Sequence, residues 1–306
     1  MKNQRAELST QQIVLMIILI ASFLVIFFFL LRLGIGEKSE EQLCYNSVLQ
    51  KSLFPKTSLQ CYRNYICITK DGSCEELIKP EKIKVKSLNE TYKILAEEMA
   101  KCWWTFGEGK VDYVGKDYFF KDKYCSICSQ IYFDDSLENL EGVEDKKISK
   151  DELYDYLIKN DYSKDQTYSQ YLLGTNDLGG LKKQIIENEN NAEKIGTFGE
   201  IEIGKQYFNV MGIISERTNA VEIGIGVGVG VAGVVVALTP VGWVGGAIIV
   251  VGSAALGGGA GIGVSEIAAL TTGGQGIDNE FMAPTLVEAE SDKFKALNCY
   301  EILTYT

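Results

Sequence analysis

The sequence predicts an α+β disulfide-linked extracytoplasmic domain with an N-terminal transmembrane helix and a Gly-rich transmembrane helical hairpin. Three observations carry that class: the uncharged apolar run from Ile13 to Leu31, eight cysteines of which seven lie between residues 44 and 128, and the uncharged, glycine-rich stretch 223–265. They divide the 306 residues into a cytoplasmic tip and anchor (1–36), a cysteine-rich domain (37–216), a hydrophobic hairpin (217–266) and a tail (267–306). Histidine is absent, which excludes Ser-His-Asp and Cys-His nucleophile pairs and His-ligated zinc. The net charge of -11 is opposite in sign to a surface that attracts nucleic-acid phosphates, so no nucleic acid is expected as a partner.

The first run, IVLMIILIASFLVIFFFLL, has 19 residues without a charge. At about 1.5 Å per helical residue it covers roughly 28 Å, close to the hydrocarbon thickness of a bilayer. Lys2 and Arg5 precede it against Glu7, and Arg32 is soon followed by Glu37, Glu40 and Glu41. This asymmetry predicts a cytoplasmic N-terminus, with the main domain and C-terminus outside the cell membrane. The following LLRLGIGEK offers no A-x-A cleavage pattern, so the helix reads as an uncleaved signal anchor. Residues 5–14, RAELSTQQIV, resemble the leader of archaeal pilin-like proteins, in which a short basic peptide is cut before an intact hydrophobic helix. Ala6 stands where glycine is usual in that leader, and Gln12 near the usual glutamate.

Residues 37–216 carry 24 basic and 32 acidic side chains, a soluble-domain composition. Cys44, Cys61, Cys67, Cys74, Cys102, Cys125 and Cys128 lie here, and a location outside the cytoplasm permits stable disulfides. Eight cysteines allow 105 complete pairings, and spacing does not choose among them. YICI at 65–68 reads as a strand, and Asp71-Gly72 as a turn inside the cluster Cys61, Cys67, Cys74. Ser87-Leu-Asn-Glu90 has the form of a capping box opening a helix. Leu88, Tyr92, Leu95, Met99, Cys102 and Phe106 make its apolar face, and Gly107 its end. Adjacent Trp103 and Trp104 cannot both point into one core, so one is free to meet another element, a partner or lipid headgroups. Asn89-Glu-Thr is an acceptor pattern for N-glycosylation.

Cys125-Ser-Ile-Cys128 has thiol–disulfide redox spacing, but KDKYCSICSQIYF reads as a strand rather than a helix start, which favours structural disulfides. Ser149-Lys-Asp-Glu152 opens a second helix with Leu153, Tyr156 and Leu157 on one side, and a third is predicted over 181–190. Between them, Tyr162, Tyr168 and Tyr171 sit in a polar connection, as contact surface or as buried anchors. Residues 200–203 and 206–214 read as two strands that could pair as a hairpin around Gly204-Lys205. No pairing of carboxylates identifies a catalytic or metal site, and no cofactor is expected.

The stretch 223–265 has 14 glycines and a turn signal at Thr239-Pro240-Val241-Gly242. Two helices, 221–239 and 243–265, are expected, with Gly224 and Gly228, Gly242 and Gly246, and Gly257 and Gly261 at small-xxx-small spacing for close packing or oligomerisation. The alternation in VEIGIGVGVGV also has a strand period, acceptable only for a multimeric barrel or a water-filled state, and a buried, soluble or conditionally inserting hairpin is the other alternative. Two crossings return the tail outside, so Cys299 is expected to bond one of the other seven cysteines, with a helix over Thr285 to Ala296. The function expected is that of a noncatalytic assembly or interaction protein. Its partners would be the lipid bilayer and a second copy or another membrane or surface protein. The alternatives are pore formation or membrane remodelling by the hairpin, and thiol–disulfide exchange by Cys125 and Cys128.

Overall fold

The computed structural model describes residues 10–32, 38–114, 123–174, 176, 199–214, 234–239, 246–253, 263–272, 280–297 and 299–305. The chain divides into two units, Met1–Leu43 and Cys44–Thr306. The first holds helix α1 (Thr10–Arg32), whose described side chains Val14–Phe28 are all exposed. These cover about 22 Å at 1.5 Å per residue, against a hydrocarbon core of about 30 Å. Among the described residues no helix is long and apolar enough to cross a membrane, so the N-terminal transmembrane helix is not supported. Residues 5–9 of the pilin-like leader lie outside the described residues, and 10–14 open α1.

The second unit is a mixed α/β fold. Helix α2 (Lys38–Leu53) leads to the parallel strands β1 (Asn64–Thr69) and β2 (Glu81–Lys84) and then to the long helix α3 (Leu88–Thr105). Ser87 Oγ accepts from the Glu90 amide as the capping signal requires, while Glu90 reaches one residue further, its Oε2 accepting from the Lys86 amide at 2.6 Å. The helix stops at Gly107, whose φ of +81° favours glycine and whose amide donates to the Trp104 carbonyl at 3.0 Å. Strand β3 (Lys123–Phe133) follows, parallel to β1. Next come the short β4 (Lys147–Ser149), the Ser149-capped α4 (Lys150–Lys159), the hairpin β5 (Asp161–Ser163) and β6 (Gln166–Thr167), and α5 (Tyr168–Leu173). Strand β7 (Glu200–Glu202) pairs with β4, and β8 (Gln206–Ile214) with β3. The two strands around Gly204-Lys205 therefore join different sheets, correcting the hairpin reading.

The glycine-rich region is where sequence and structure part. Its described residues form β9 (Val234–Thr239), β10 (Gly246–Ser253) and β11 (Gly263–Thr272), an antiparallel meander. The meander continues through β12 (Glu280–Glu288) into β8, giving the strand order β2-β1-β3-β8-β12-β11-β10-β9. The helical transmembrane hairpin is thus overturned. A short apolar run fits a strand as well as part of a membrane helix, so periodicity does not separate the two. Gly246 opens β10 opposite Thr239 and Thr271, so its spacing from Gly242 is not a helix-packing motif. Gly224, Gly228, Gly242, Gly257 and Gly261 lie outside the described residues, as does the helix predicted over 181–190. The expected helix from Thr285 is also replaced: the chain stays in β12 to Glu288, and helix α6 is confined to Asp292–Ala296.

Over β3, β8 and β12 both faces of the sheet are covered. On one, Leu95, Met99 and Trp103 of α3 lie among the buried residues that include Ile131, Phe133, Met211, Ile213, Phe281 and Leu286 from the strands. On the other, Cys125, Ile127, Phe208, Val210, Met282 and Val287 cluster with Leu297, and α6 adds Phe294. Strand β13 (Glu301–Ile302) lies parallel to β3 at Tyr124 and Cys125, on the edge that β1 occupies further along at Ser129–Phe133. Beyond β13, the Tyr305 amide donates to the Cys61 carbonyl at 2.9 Å, so the tail is woven into the sheet.

Two loops meet where the parallel strands β1 and β3 end. Asp71 Oδ1 accepts from the Ser73 amide at 2.7 Å and from Thr69 Oγ1, Asp134 Oδ1 accepts from the Ser136 amide, and the Ser73 hydroxyl lies between Asp71 Oδ1 and Asp134 Oδ1, which share its one proton. The bonds from Ser73 hold the Asp71 carboxyl down to about 2, from an ordinary 3.8. A carboxylate lowered in the folded state adds stability that is complete above its unfolded pKa and is lost as pH falls through the folded one. On acidification from about pH 4 toward pH 2, the thermal midpoint should therefore fall more steeply for the native chain than for Asp71→Asn. Parallel curves for the two proteins would show that the loop contributes nothing.

Candidate binding cleft

All eight cysteines are paired: Cys44–Cys61, Cys67–Cys74, Cys102–Cys128 and Cys125–Cys299. Cys299 joins the domain as expected, and the structure supplies the connectivity that spacing left open. The CxxC pair is divided between two partners because successive strand residues point to opposite faces. Cys125 lies in the cluster covered by α6, whereas Cys128 packs on the α3 side and is tied to that helix. Two sulfurs on opposite faces of a sheet cannot cycle as one redox pair. Among the described residues, Cys67, Cys74 and Asp134 alone bring three metal-ligand atoms together, and both sulfurs are bonded to each other. Asn89 is exposed in the first turn of α3, open to a glycan.

The tryptophan pair separates as its spacing demands. Trp103 is buried, its ring edge-on to Phe281 with centroids 6.4 Å apart. Trp104 is half-buried and stacks on Tyr45 of α2, centroids 4.6 Å apart and planes 12° from parallel. It forms one wall of a cleft of about 300 Å³, together with Glu97, Ala100 and Lys101 from the same face of α3, and Tyr162 and Tyr168 opposite. Residues 97, 100, 101 and 104 follow the three- and four-residue spacing of a helical stripe, which is why one helix supplies four of the lining side chains.

The opposite wall rests on the β5–β6 hairpin and α5. Thr167 caps α5, its Oγ1 accepting from the Gln170 amide at 3.2 Å while Gln170 Oε1 accepts from the Thr167 amide at 3.1 Å, and this fixes Tyr168 and Tyr171 on the first turn. Tyr162 stacks on Tyr171 with centroids 3.9 Å apart, and Tyr168 meets Tyr162 edge-on at 5.6 Å. The Tyr171 hydroxyl donates to Glu108 Oε1 at 2.8 Å, and burial followed by this carboxylate pushes the phenol well above its ordinary value. Tyr168 is likewise raised, first by burial and then by the Glu97 carboxylate. Tyr162 remains 38 % exposed. The tyrosines thus divide between the two roles the sequence left open: Tyr168 is a buried anchor, and Tyr162 is contact surface.

None of the six lining residues is a nucleophile beside a base, and the ionic groups are dispersed. Lys101 Nζ lies 3.6 Å from Glu98 Oε1 along the helix, and Glu97 Oε1 lies 3.8 Å from Lys93 Nζ. The cleft is built to hold, with rigid rings and charged rims, and Trp104 and Tyr162 were legible in the sequence only as side chains without an assigned neighbour. The fold and site together define a disulfide-linked mixed α/β protein with an aromatic cleft. The chain matches no protein-family model, no curated protein and no solved structure.

Proposed function

We propose that the chain is a noncatalytic interaction protein of an oxidising, extracytoplasmic compartment, and that it holds its partner in the aromatic cleft. The observation that carries this reading is that Trp104 and Tyr162, each stacked on a second ring, both line one open concavity. Large amphipathic side chains with few rotatable bonds make contact area at low entropic cost, and stacking removes most of the freedom they retain. Four disulfides support the compartment, since such bonds persist where thiols are not kept reduced.

Pore formation by the glycine-rich strands fits less well. A membrane barrel strand alternates apolar and polar residues, whereas VVVALT and GAIIVVGS are apolar in both phases apart from their last residues. Thiol–disulfide exchange is disfavoured by the separate bonding of Cys125 and Cys128.

The test is a photoreactive phenylalanine analogue in place of Tyr162 in the producing cells, with the same analogue at the fully solvated Ile78, 90 % exposed, as the reference. Illumination should give a discrete adduct at position 162 that is absent at position 78 and lost when Trp104 is changed to alanine. No adduct, or the same adducts at both positions, would overturn the reading.

A further inference from the structure

We propose that the cleft accepts the guanidinium group of an arginine in a basic peptide segment of the partner; this rests on the reading of the cleft as a contact surface. Stacking covers one face of each ring, and Trp104 and Tyr162 both line the cleft, as does Tyr168, a buried anchor at 9 % exposure. Ring faces are electron-rich and attract cations, and a planar guanidinium stacks on them better than a compact ammonium. Glu97 stands on the same wall as a carboxylate whose ion pair with Lys93 is weak, both side chains being more than half exposed at 59 % and 53 %. A carboxylate can take two parallel N–H donations from a guanidinium, which neither an alkyl group nor an ammonium reproduces.

Lys101 also lines the cleft and its charge acts against a cation, offset in part by Glu98 Oε1, which lies 3.6 Å from its Nζ. An anionic ligand would meet both the ring faces and Glu97 unfavourably. A neutral sugar could stack on the rings, but it would gain nothing from a chain of net charge -11, whose field draws basic segments toward it. A guanidinium uses the rings, the carboxylate and the field together.

The probe is an acetylated, amidated peptide of alternating glycine and arginine, compared with the same peptide carrying citrulline, whose urea keeps the shape and lacks the charge. In titration calorimetry on the full, oxidised chain, the arginine peptide should bind at least about tenfold more tightly than the citrulline peptide. Glu97→Gln, on an exposed helix face, should weaken binding about tenfold without moving the thermal midpoint. Trp104→Ala should also weaken binding about tenfold, and Trp104→Phe should restore part of the loss. Equal binding of the two peptides, or arginine binding unchanged in both Glu97→Gln and Trp104→Ala, would overturn the inference, as would tighter binding of cellohexaose than of the arginine peptide. A Trp104-dependent adduct at position 162 without arginine preference overturns the ligand class alone. Absence of both overturns the cleft as a contact surface.

Discussion

Replacing Cys125 and Cys299 together by alanine should cost about 3 to 5 kcal/mol of unfolding free energy, the largest effect of removing any one of the four bridges. The sequence separation across this bond is 174, against 7, 17 and 26 for the others, and the chain-entropy cost that a cross-link removes from the unfolded state grows with the logarithm of that separation. For 174 residues the relation gives about 5 kcal/mol at room temperature, and measured values usually fall somewhat below it. The bond also fixes the tail beside the sheet, where the Leu303 amide donates to the Cys125 carbonyl at 2.8 Å and the Ile127 amide to Thr304 Oγ1 at 3.0 Å. Denaturant unfolding of the double variant and of Cys67→Ala/Cys74→Ala, both without reductant, checks the ranking. A smaller loss for the 125/299 pair than for 67/74 would contradict it.

Phe281→Ala should be of similar size, about 3 to 5 kcal/mol, through lost transfer energy and the cavity left behind. Phe281 is fully buried on β12, in register with Ile213 of β8 and Thr271 of β11, with its ring against Trp103. It thus links the helix layer to the strand that joins the glycine-rich meander to the core of the sheet. Phe281→Leu should cost far less, about 1 kcal/mol, because most of the volume remains. Equilibrium unfolding of both variants gives the comparison. A loss below about 1 kcal/mol for the alanine variant would mean that β12 is not part of the cooperative core.

The elements that local chemistry dictates were legible in the sequence. Ser87 and Ser149 announce α3 and α4, Gly107 ends the first of them, and the alternation around Cys125 marks β3. What the sequence did not disclose depends on distant pairing. Residues 200–203 and 206–214 each read as strands, yet their partners, β4 and the β3–β12 pair, are set by the sheet as a whole. Val234–Thr239 and Gly246–Ser253 are apolar at every phase but their ends, a pattern that a strand and a lipid-facing helix share. The cleft was half visible. One of Trp103 and Trp104 had to leave the core, but only the fold brings Trp104 opposite Tyr162, which arrives on a separate hairpin.

The division of Cys125 and Cys128 between the two faces of β3 makes the sheet a proofreader of oxidation. In an unpleated chain these are the closest thiols in sequence, and the loop joining them is shorter than that of any of the four native links. Once β3 has formed, that ring is geometrically forbidden, and each sulfur meets one native partner. Oxidation of the reduced chain before the strand is laid down would leave an isomer that a thiol donor must reopen. Refolding from the reduced chain should accordingly reach the native set faster with a disulfide isomerase than with added oxidant alone.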